Sequence, residues 1–339
     1  MAVIVGIRRE DKNEWERRVP LTPAHIARLR REHGLDFIVQ PSPIRIFKDD
    51  EYTAAGATVT EDLAPAGIVL AVKEIPIALL RADTAYLYFS HTVKGQAYNM
   101  PMLRHLLETG ATLIDYEKIA DEQNRRLIFF SLHAGHAGMI ESLWCLGRRL
   151  EHLGERTPLL DVKHAYEYAN LQEAKDHLKE IGAVISAKGM GDHKEPVIIG
   201  VAGYGNVARG VQEILDCLPF QAIEVEGLPA AAQAGLAELG PLVRVTFREE
   251  HMVEPRSLDA HFVLQDYYER PENYQGVFEQ YLPHLDVLMN TIYWEERYPR
   301  LMTRKWARVR WSEGRPPRLQ VIGDISCDIE GGIELTVKA

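Results

Sequence analysis

Residues 196–215 read PVIIGVAGYGNVARGVQEIL, and this stretch decides the fold. Val197, Ile198, Ile199 and Val201 form a short run rich in β-branched residues, of the kind that fills a strand buried on both faces. The run ends in Gly203-Tyr204-Gly205, and a helical pattern starts at Asn206, with Val207, Val211, Ile214 and Leu215 on one side. Strand, glycine turn and helix is the context in which a G-x-G-x-x-(G/A) fingerprint binds a dinucleotide, and Ala208 fills its last position. Gly203 allows the tight turn, Gly205 lets the backbone approach a pyrophosphate, and Ala208 lets the helix pack close to the strand. The free amides of the helix N-terminus then face the phosphates, where the helix dipole favours negative charge.

Working outward, the residues before this stretch alternate short apolar runs with helical patterns. Residues 2–7, 36–40, 68–72, 85–89, 112–116 and 127–130 read as strands. Thr22-Pro23 opens a helix, with threonine as N-cap and proline at the first helical position. Another helix runs from about Asn99 to Glu108. Near His133 the pattern changes: Ala134-Gly135-His136-Ala137-Gly138 leads into a long helix, residues 139–153, whose small residues allow close packing at its start. Gly154 stops it. A helix over residues 171–181 precedes the central strand, and strands over 222–225, 243–247, 287–292 and 321–325 follow the glycine turn. Residues 308–318, with two prolines and several charges, read as a surface loop. The expected fold is α/β, with two Rossmann-like domains of mostly parallel sheet and a cleft between them. Residues 1–135 form the first domain. Residues 136–339 form the second, opening on a bridge helix.

The chain has 339 residues, 46% of them hydrophobic and 26% charged, which suits two ordinary globular domains. Its net charge of −10 argues against nucleic acid and anionic membrane as partners, so an anionic substrate needs local basic groups. The cysteines, Cys145, Cys217 and Cys327, show no metal-ligand spacing, and their odd number suits a reducing compartment. No run approaches a membrane span, and no signal peptide is read at the start, so a cytoplasmic location is expected.

Several positions could carry chemistry. Ligands of open α/β sheets lie beyond the carboxyl ends of the strands. Lys73 ends one apolar run and His91 follows another, while Arg18 stands just before Val19-Pro20-Leu21-Thr22-Pro23. Each alone also reads as an ordinary surface or capping group. Glu224 and Glu226 fall about 20 positions past the first glycine, where an acid binds the ribose hydroxyls; the alternative is a solvated strand end. His133 and His136 lie three apart, but zinc needs three or four ligands and no third is evident, so no metal is expected.

The strings RREDKNEWERRVPLTP, AVKEIP, FSHTVKGQ, LIDYEKIADEQNRR, GYGNVARGVQ, IYWEERYPRLMT and GDISCDIEGGIEL occur in order from Arg8 to Leu335. Together they resemble the lysine-ketoglutarate reductase half of the bifunctional lysine-degradation enzyme. That family is related to the lysine-forming saccharopine dehydrogenases of fungi and, more distantly, to alanine dehydrogenase.

The resemblance implies an NADP- or NAD-dependent oxidoreductase that joins L-lysine to 2-oxoglutarate and reduces the imine to saccharopine. It makes Lys73 and His91 the acid–base pair, Arg18 a contact for a substrate carboxylate or the nicotinamide side, and Glu117 a residue tuning the basic pair. Two groups that exchange protons near neutral pH suit the steps from amine and ketone to imine. The substrates bring three carboxylates, for which Arg18 and Arg125 or Arg126 could serve as forked clamps; QNRR also reads as a solvated turn. Asn290 and Ile292, with Tyr293 and Trp294, are expected to line the nucleotide pocket. Asp324 and Asp328 either orient cofactor or substrate or cap a turn. Cofactor-binding positions are thus Gly203, Tyr204, Gly205, Asn206, Val207, Glu224, Glu226, Asn290, Ile292, Asp324 and Asp328. The family continues past the GDIS string into a segment that returns to the first domain, and that segment is expected to be absent here, as is a second dehydrogenase half. A homo-oligomer is possible. Competing readings are lysine-forming saccharopine dehydrogenase with NAD, another amino-acid dehydrogenase such as alanine dehydrogenase, and a non-catalytic nucleotide-binding module.

Overall fold

The computed structural model describes residues 3–93, 95, 97–233, 239–312 and 318–337. The chain forms two compact units, Met1–Phe129 and Phe130–Ala339. The division falls at 129/130 rather than 135/136, ahead of the long helix instead of inside it.

In the first unit, β1 (Ile4–Ile7), β2 (Asp36–Val39), β3 (Thr58–Val59), β4 (Ile68–Leu70), β5 (Ala85–Tyr88) and β6 (Thr112–Asp115) make one sheet. Its order is β3-β2-β1-β4-β5-β6 and every pairing is parallel. One face buries Val69, Tyr86, Tyr88, Met102 and Leu106; the other buries Val5, Ile7, Phe37, Val39 and Tyr52. Helix α1 (Pro23–His33) starts as the sequence predicts, its N-cap Thr22 accepting from the His25 N–H, and Gly34 ends it in the left-handed region. Helices α2 (Asp49–Ala54) and α3 (Met100–Thr109) complete the unit.

Residues 127–130 are not a strand. The chain turns back after β6 through a tight loop in which the Asp121 N–H donates to the Arg125 carbonyl at 3.0 Å, and only an isolated bridge joins Ala120 to Arg126. A four-residue apolar run is too short to identify a strand by itself. The sheet's remaining strand is β3, two residues long, at the far edge.

In the second unit, β7 (Val197–Ala202), β8 (Phe220–Ile223), β9 (Leu242–Phe247), β12 (Val287–Asn290) and β13 (Val321–Asp324) form a parallel sheet ordered β13-β12-β7-β9-β8. A short antiparallel pair, β10 (Val253–Pro255) with β11 (Tyr274–Gly276), lies apart from it. All six residues of β7 are buried, as its composition requires. Helices α4 (Ser131–His152), α5 (Leu171–Lys188) and α6 (Asn206–Leu215) pack with Ile199, Val201 and Met289 in one core. Ile198, Val243, Phe247, Leu288, Phe278 and Leu301 build the core on the other face.

Helix α4 begins eight residues before the expected 139, at Ser131. The glycines that read as a helix-breaking lead-in lie inside it, because α4 crosses α6 at backbone contact. A Cβ on Gly135 would stand 2.0 Å from the Val207 carbonyl oxygen, and one on Gly210 would stand 2.0 Å from that of Leu132. The expected loop 308–318 is also revised. Residues 304–312 are helical, residues 313–317 lie outside the described residues, and so do Lys94 and Gln96 of the FSHTVKGQ string. Among the described residues no helix is long and apolar enough to cross a membrane.

Candidate functional site

Each unit carries its own candidate site. In the first, all strands point the same way, so the residues after β1, β4, β5 and β6 collect along one edge. The chain leaves β1 toward β2 on one side and reaches β4 on the other, which makes the β1/β4 boundary the switch point where ligands of such sheets bind. Glu10, from the loop after β1, spans that boundary. Its two carboxylate oxygens accept from the Val72 N–H at 2.7 Å and the Lys73 N–H at 3.0 Å. Burial pushes the Glu10 carboxyl above its ordinary value, against the pull of those two amides.

Around Lys73 and His91 the charges alternate. Arg18 forks onto Glu16, with Nε at 2.7 Å and Nη2 at 2.6 Å. Burial would raise Glu16, but the bonds and charge of Arg18, joined by the charge of Lys73, hold it below its ordinary value. Glu74 behaves alike. Its burial is outweighed by the hydrogen bond and charge of Lys12, whose Nζ lies 2.7 Å away, and by the charge of His91. His91 sits at φ +52, a left-handed conformation that is uncommon outside glycine and is found at functional sites when the surroundings enforce it.

Arg126 and Glu117 are bound to one another: Arg126 Nη1 donates to Glu117 Oε1 at 3.3 Å, and the Arg126 guanidinium lies 5.4 Å from the centre of the Phe89 ring. Arg125 pairs with Asp121 at 2.7 Å on the surface of the QNRR turn. The charge of Lys73 thus reaches Glu16 and that of His91 reaches Glu74. Sequence reasoning passed over both glutamates, although each lies within a string quoted for the resemblance, two residues before Arg18 and one after Lys73.

In the second unit the glycine turn has the geometry its motif implies. Gly203 sits at φ +108, and a Cβ there would come within 2.8 Å of Thr291 Oγ1. Gly205 precedes α6, and a Cβ on it would meet nothing within 4 Å, so its surface is open to a ligand. Asn206 and Val207 form the first turn of α6, and Ala208 is buried beneath them. Gly203, Tyr204 and Gly205 line a cavity of about 410 Å³, which Thr291, Ile292 and Tyr293 close on one side and Glu249 and Tyr268 on another. That volume lies in the range of small-molecule sites. An open glycine above a helix N-terminus, beside such a cavity, fits a dinucleotide.

Asn290 is fully buried, its Nδ2 donating to Asp324 Oδ1 at 2.8 Å and to Ser326 Oγ at 3.2 Å. Asp324 also accepts from Ser326 and Thr336, so it fixes the segment after β13. Asp328 is exposed, and its carbonyl accepts from the Gly331 N–H at 2.9 Å in a turn.

The sheet order overturns the basis for Glu224 and Glu226. An acid binds ribose from the end of the strand beside the glycine strand, and that neighbour is β9, not β8. Glu224 and Glu226 are exposed beyond β8 at the sheet's edge, and neither lines the cavity. Glu249, two residues past β9, does.

Fold and turn together place the chain among two-domain dehydrogenase folds. L-alanine dehydrogenase superimposes on 98% of the chain and 76% of its own length, with a TM-score of 0.58 at 18% identity. The chain belongs to the superfamily of saccharopine dehydrogenase and alanine dehydrogenase. Residues 6–137 match the family described as alanine dehydrogenase/PNT, N-terminal domain. The alpha-aminoadipic semialdehyde synthase of Arabidopsis thaliana is 36% identical over 99% of the chain and 33% of its own length. The NAD(+), L-lysine-forming saccharopine dehydrogenase of Neurospora crassa is 30% identical over 73% of the chain and 64% of its own. The chain thus spans about a third of the Arabidopsis relative.

Proposed function

We propose that the chain is an oxidoreductase that condenses L-lysine with 2-oxoglutarate and reduces the product to saccharopine, with NADP(H) or NAD(H) as cofactor. What carries the reading is the position of Lys73 and His91 beyond the ends of β4 and β5, where their charges help hold Glu16 and Glu74 below their ordinary values. Its support is the similarity of nearly the whole chain to alpha-aminoadipic semialdehyde synthases.

In this reading a basic group, Lys73 or His91, takes a proton from the lysine ammonium so that the free amine attacks the keto carbon. The protonated partner then gives a proton to the carbinolamine oxygen, and water leaves as the imine forms. A bound nicotinamide nucleotide supplies the hydride for the imine carbon. Arg18, and Arg126 on release from Glu117, receive substrate carboxylates as forked donors. Gly203, Tyr204, Gly205 and the first turn of α6 hold the nucleotide's phosphates. A cytoplasmic, homo-oligomeric enzyme belongs to the same reading, and light scattering of the purified chain tests the second half.

The deciding assay follows NADPH and NADH oxidation with 2-oxoglutarate and lysine, alanine or glutamate as the amine. Consumption with lysine alone supports the reading. Consumption with alanine or glutamate instead, or none while nucleotide still binds, overturns it.

A further inference from the structure

We propose that Arg248, the first residue past β9, is the group that recognises a 2′-phosphate on the nucleotide's adenosine ribose, so that the second unit selects NADP(H). The inference rests on reading this unit as dinucleotide-binding and adds the residue that distinguishes the two nucleotides.

Four observations carry it. First, β9 pairs with β7 along its whole length, Val197 with Leu242 through Ala202 with Phe247. The end of β9 is therefore the position from which a sheet of this type contacts the ribose, and it begins with an arginine. Second, the guanidinium of Arg248 lies 4.9 Å from the centre of the Tyr204 ring, inside the glycine turn that holds the phosphates. A ring contact orients the planar fork without using its N–H donors. Third, Arg248 is exposed and, among the described residues, its side chain has no hydrogen bond or ion pair, whereas Arg244 on the same strand is engaged by Asp216 and Gln212. Its donors are open to a phosphate. Fourth, one oxygen of the adjacent acid is already engaged. Glu249 Oε1 accepts from Tyr268 at 2.6 Å and from Tyr204 at 3.4 Å, so the carboxylate that would otherwise bind the ribose diol instead braces the ring under Arg248.

Adenosine 2′,5′-bisphosphate and 5′-AMP differ only in the 2′-phosphate and need no catalysis. Calorimetric titration of the whole chain should find the bisphosphate bound at least about tenfold more tightly, a difference within the reach of one forked arginine–phosphate contact. Arg248→Leu should bring the two ligands to within about twofold by weakening the bisphosphate alone, and the paired change Glu224→Gln with Glu226→Gln should leave the discrimination intact. Equal or inverted binding by the wild type, discrimination that survives Arg248→Leu, or discrimination lost in the Glu224/Glu226 variant each overturns the assignment. If neither probe nor NADPH nor NADH binds, the dinucleotide reading itself fails and the assignment fails with it.

Discussion

The backbone N–H of Lys73 donates to Glu10 Oε2 at 3.0 Å, tying the segment that follows β4 to the loop that follows β1. The neighbouring Val72 N–H uses the other oxygen. One carboxylate thus sets where the Lys73 side chain starts, and it does so from a buried position. Glu10→Ala should lower stability by about 1–3 kcal/mol, the cost of buried donors left without partners. Turnover should fall further than this loss of folded protein explains. Glu10→Gln retains one acceptor and should lie between. Urea melts alongside kcat check both, and unchanged melts with unchanged kcat would contradict the bracing role.

Lys73 and His91 differ from their neighbours in being the groups assigned to move protons. Lys73→Met and His91→Gln should each reduce kcat by about a hundredfold or more, the usual range for losing a general acid or base. Nucleotide binding, assigned above to the other unit, should hold within about twofold. Turnover within twofold of wild type in both variants would remove them from the mechanism.

The two glycines of the nucleotide turn separate folding from binding. Gly203→Ala places a side chain at φ +108 and against Thr291, so it should destabilise the second unit. The Cβ of Gly205→Val meets open space in the free protein, so the melting temperature should stay near wild type while nucleotide affinity drops about tenfold or more. A Gly205→Val protein that binds as tightly as wild type would place the phosphates elsewhere.

Local features were legible in the sequence, and features set by pairing across the sheet were not. The strand, turn and helix around Gly203 depend on adjacent residues, and residues 197–215 show them directly. The Thr22-Pro23 helix start is of the same kind. Which of β8 and β9 lies beside β7 is a matter of long-range pairing, since both are short and partly apolar, and so spacing alone put the ribose acid at Glu224 or Glu226. Glu10, Glu16 and Glu74 were not singled out, because no adjacent residue in the sequence shows what they bind. Their use emerges only once β1 and β4 are neighbours. The start of α4 was missed because Gly135 and Gly138 weaken a helix by propensity, and the gain that offsets this comes from α6, some seventy residues away.

That crossing gives its own prediction. Gly135→Ala and Gly210→Ala each drive a methyl into a carbonyl oxygen of the partner helix, at 2.0 Å from Val207 and Leu132 respectively. Backbone must move on both sides, so each should cost about 3 kcal/mol or more. Gly154→Ala, at the free end of α4 with nothing within 4 Å, should cost only what its φ of +90 imposes. Similar melting temperatures for the three variants would contradict the backbone-contact geometry.

Asp286, just before β12, links acidity to stability. The Ile198 N–H donates to it at 2.7 Å and Arg318 Nε at 3.0 Å, and burial pushes its carboxyl up to about 6 despite both partners. The folded value thus exceeds the ordinary 3.8, which means the folded state holds this proton more tightly than the unfolded chain. Its contribution is complete below the unfolded value and is lost as pH rises through about 6. A shift of about two units corresponds to roughly 3 kcal/mol at most. Asp286→Asn cannot titrate, so the stability of wild type relative to the variant should increase as pH is lowered from about 7 to about 4. Glu16, Glu74 and Glu213, all held below their ordinary values, act in the opposite sense, but they do so in both proteins and cancel in the difference. Urea melts at a series of pH values measure it. A difference that stays flat, or shrinks toward acid, would mean that Asp286 is at least as readily ionised in the core as in water.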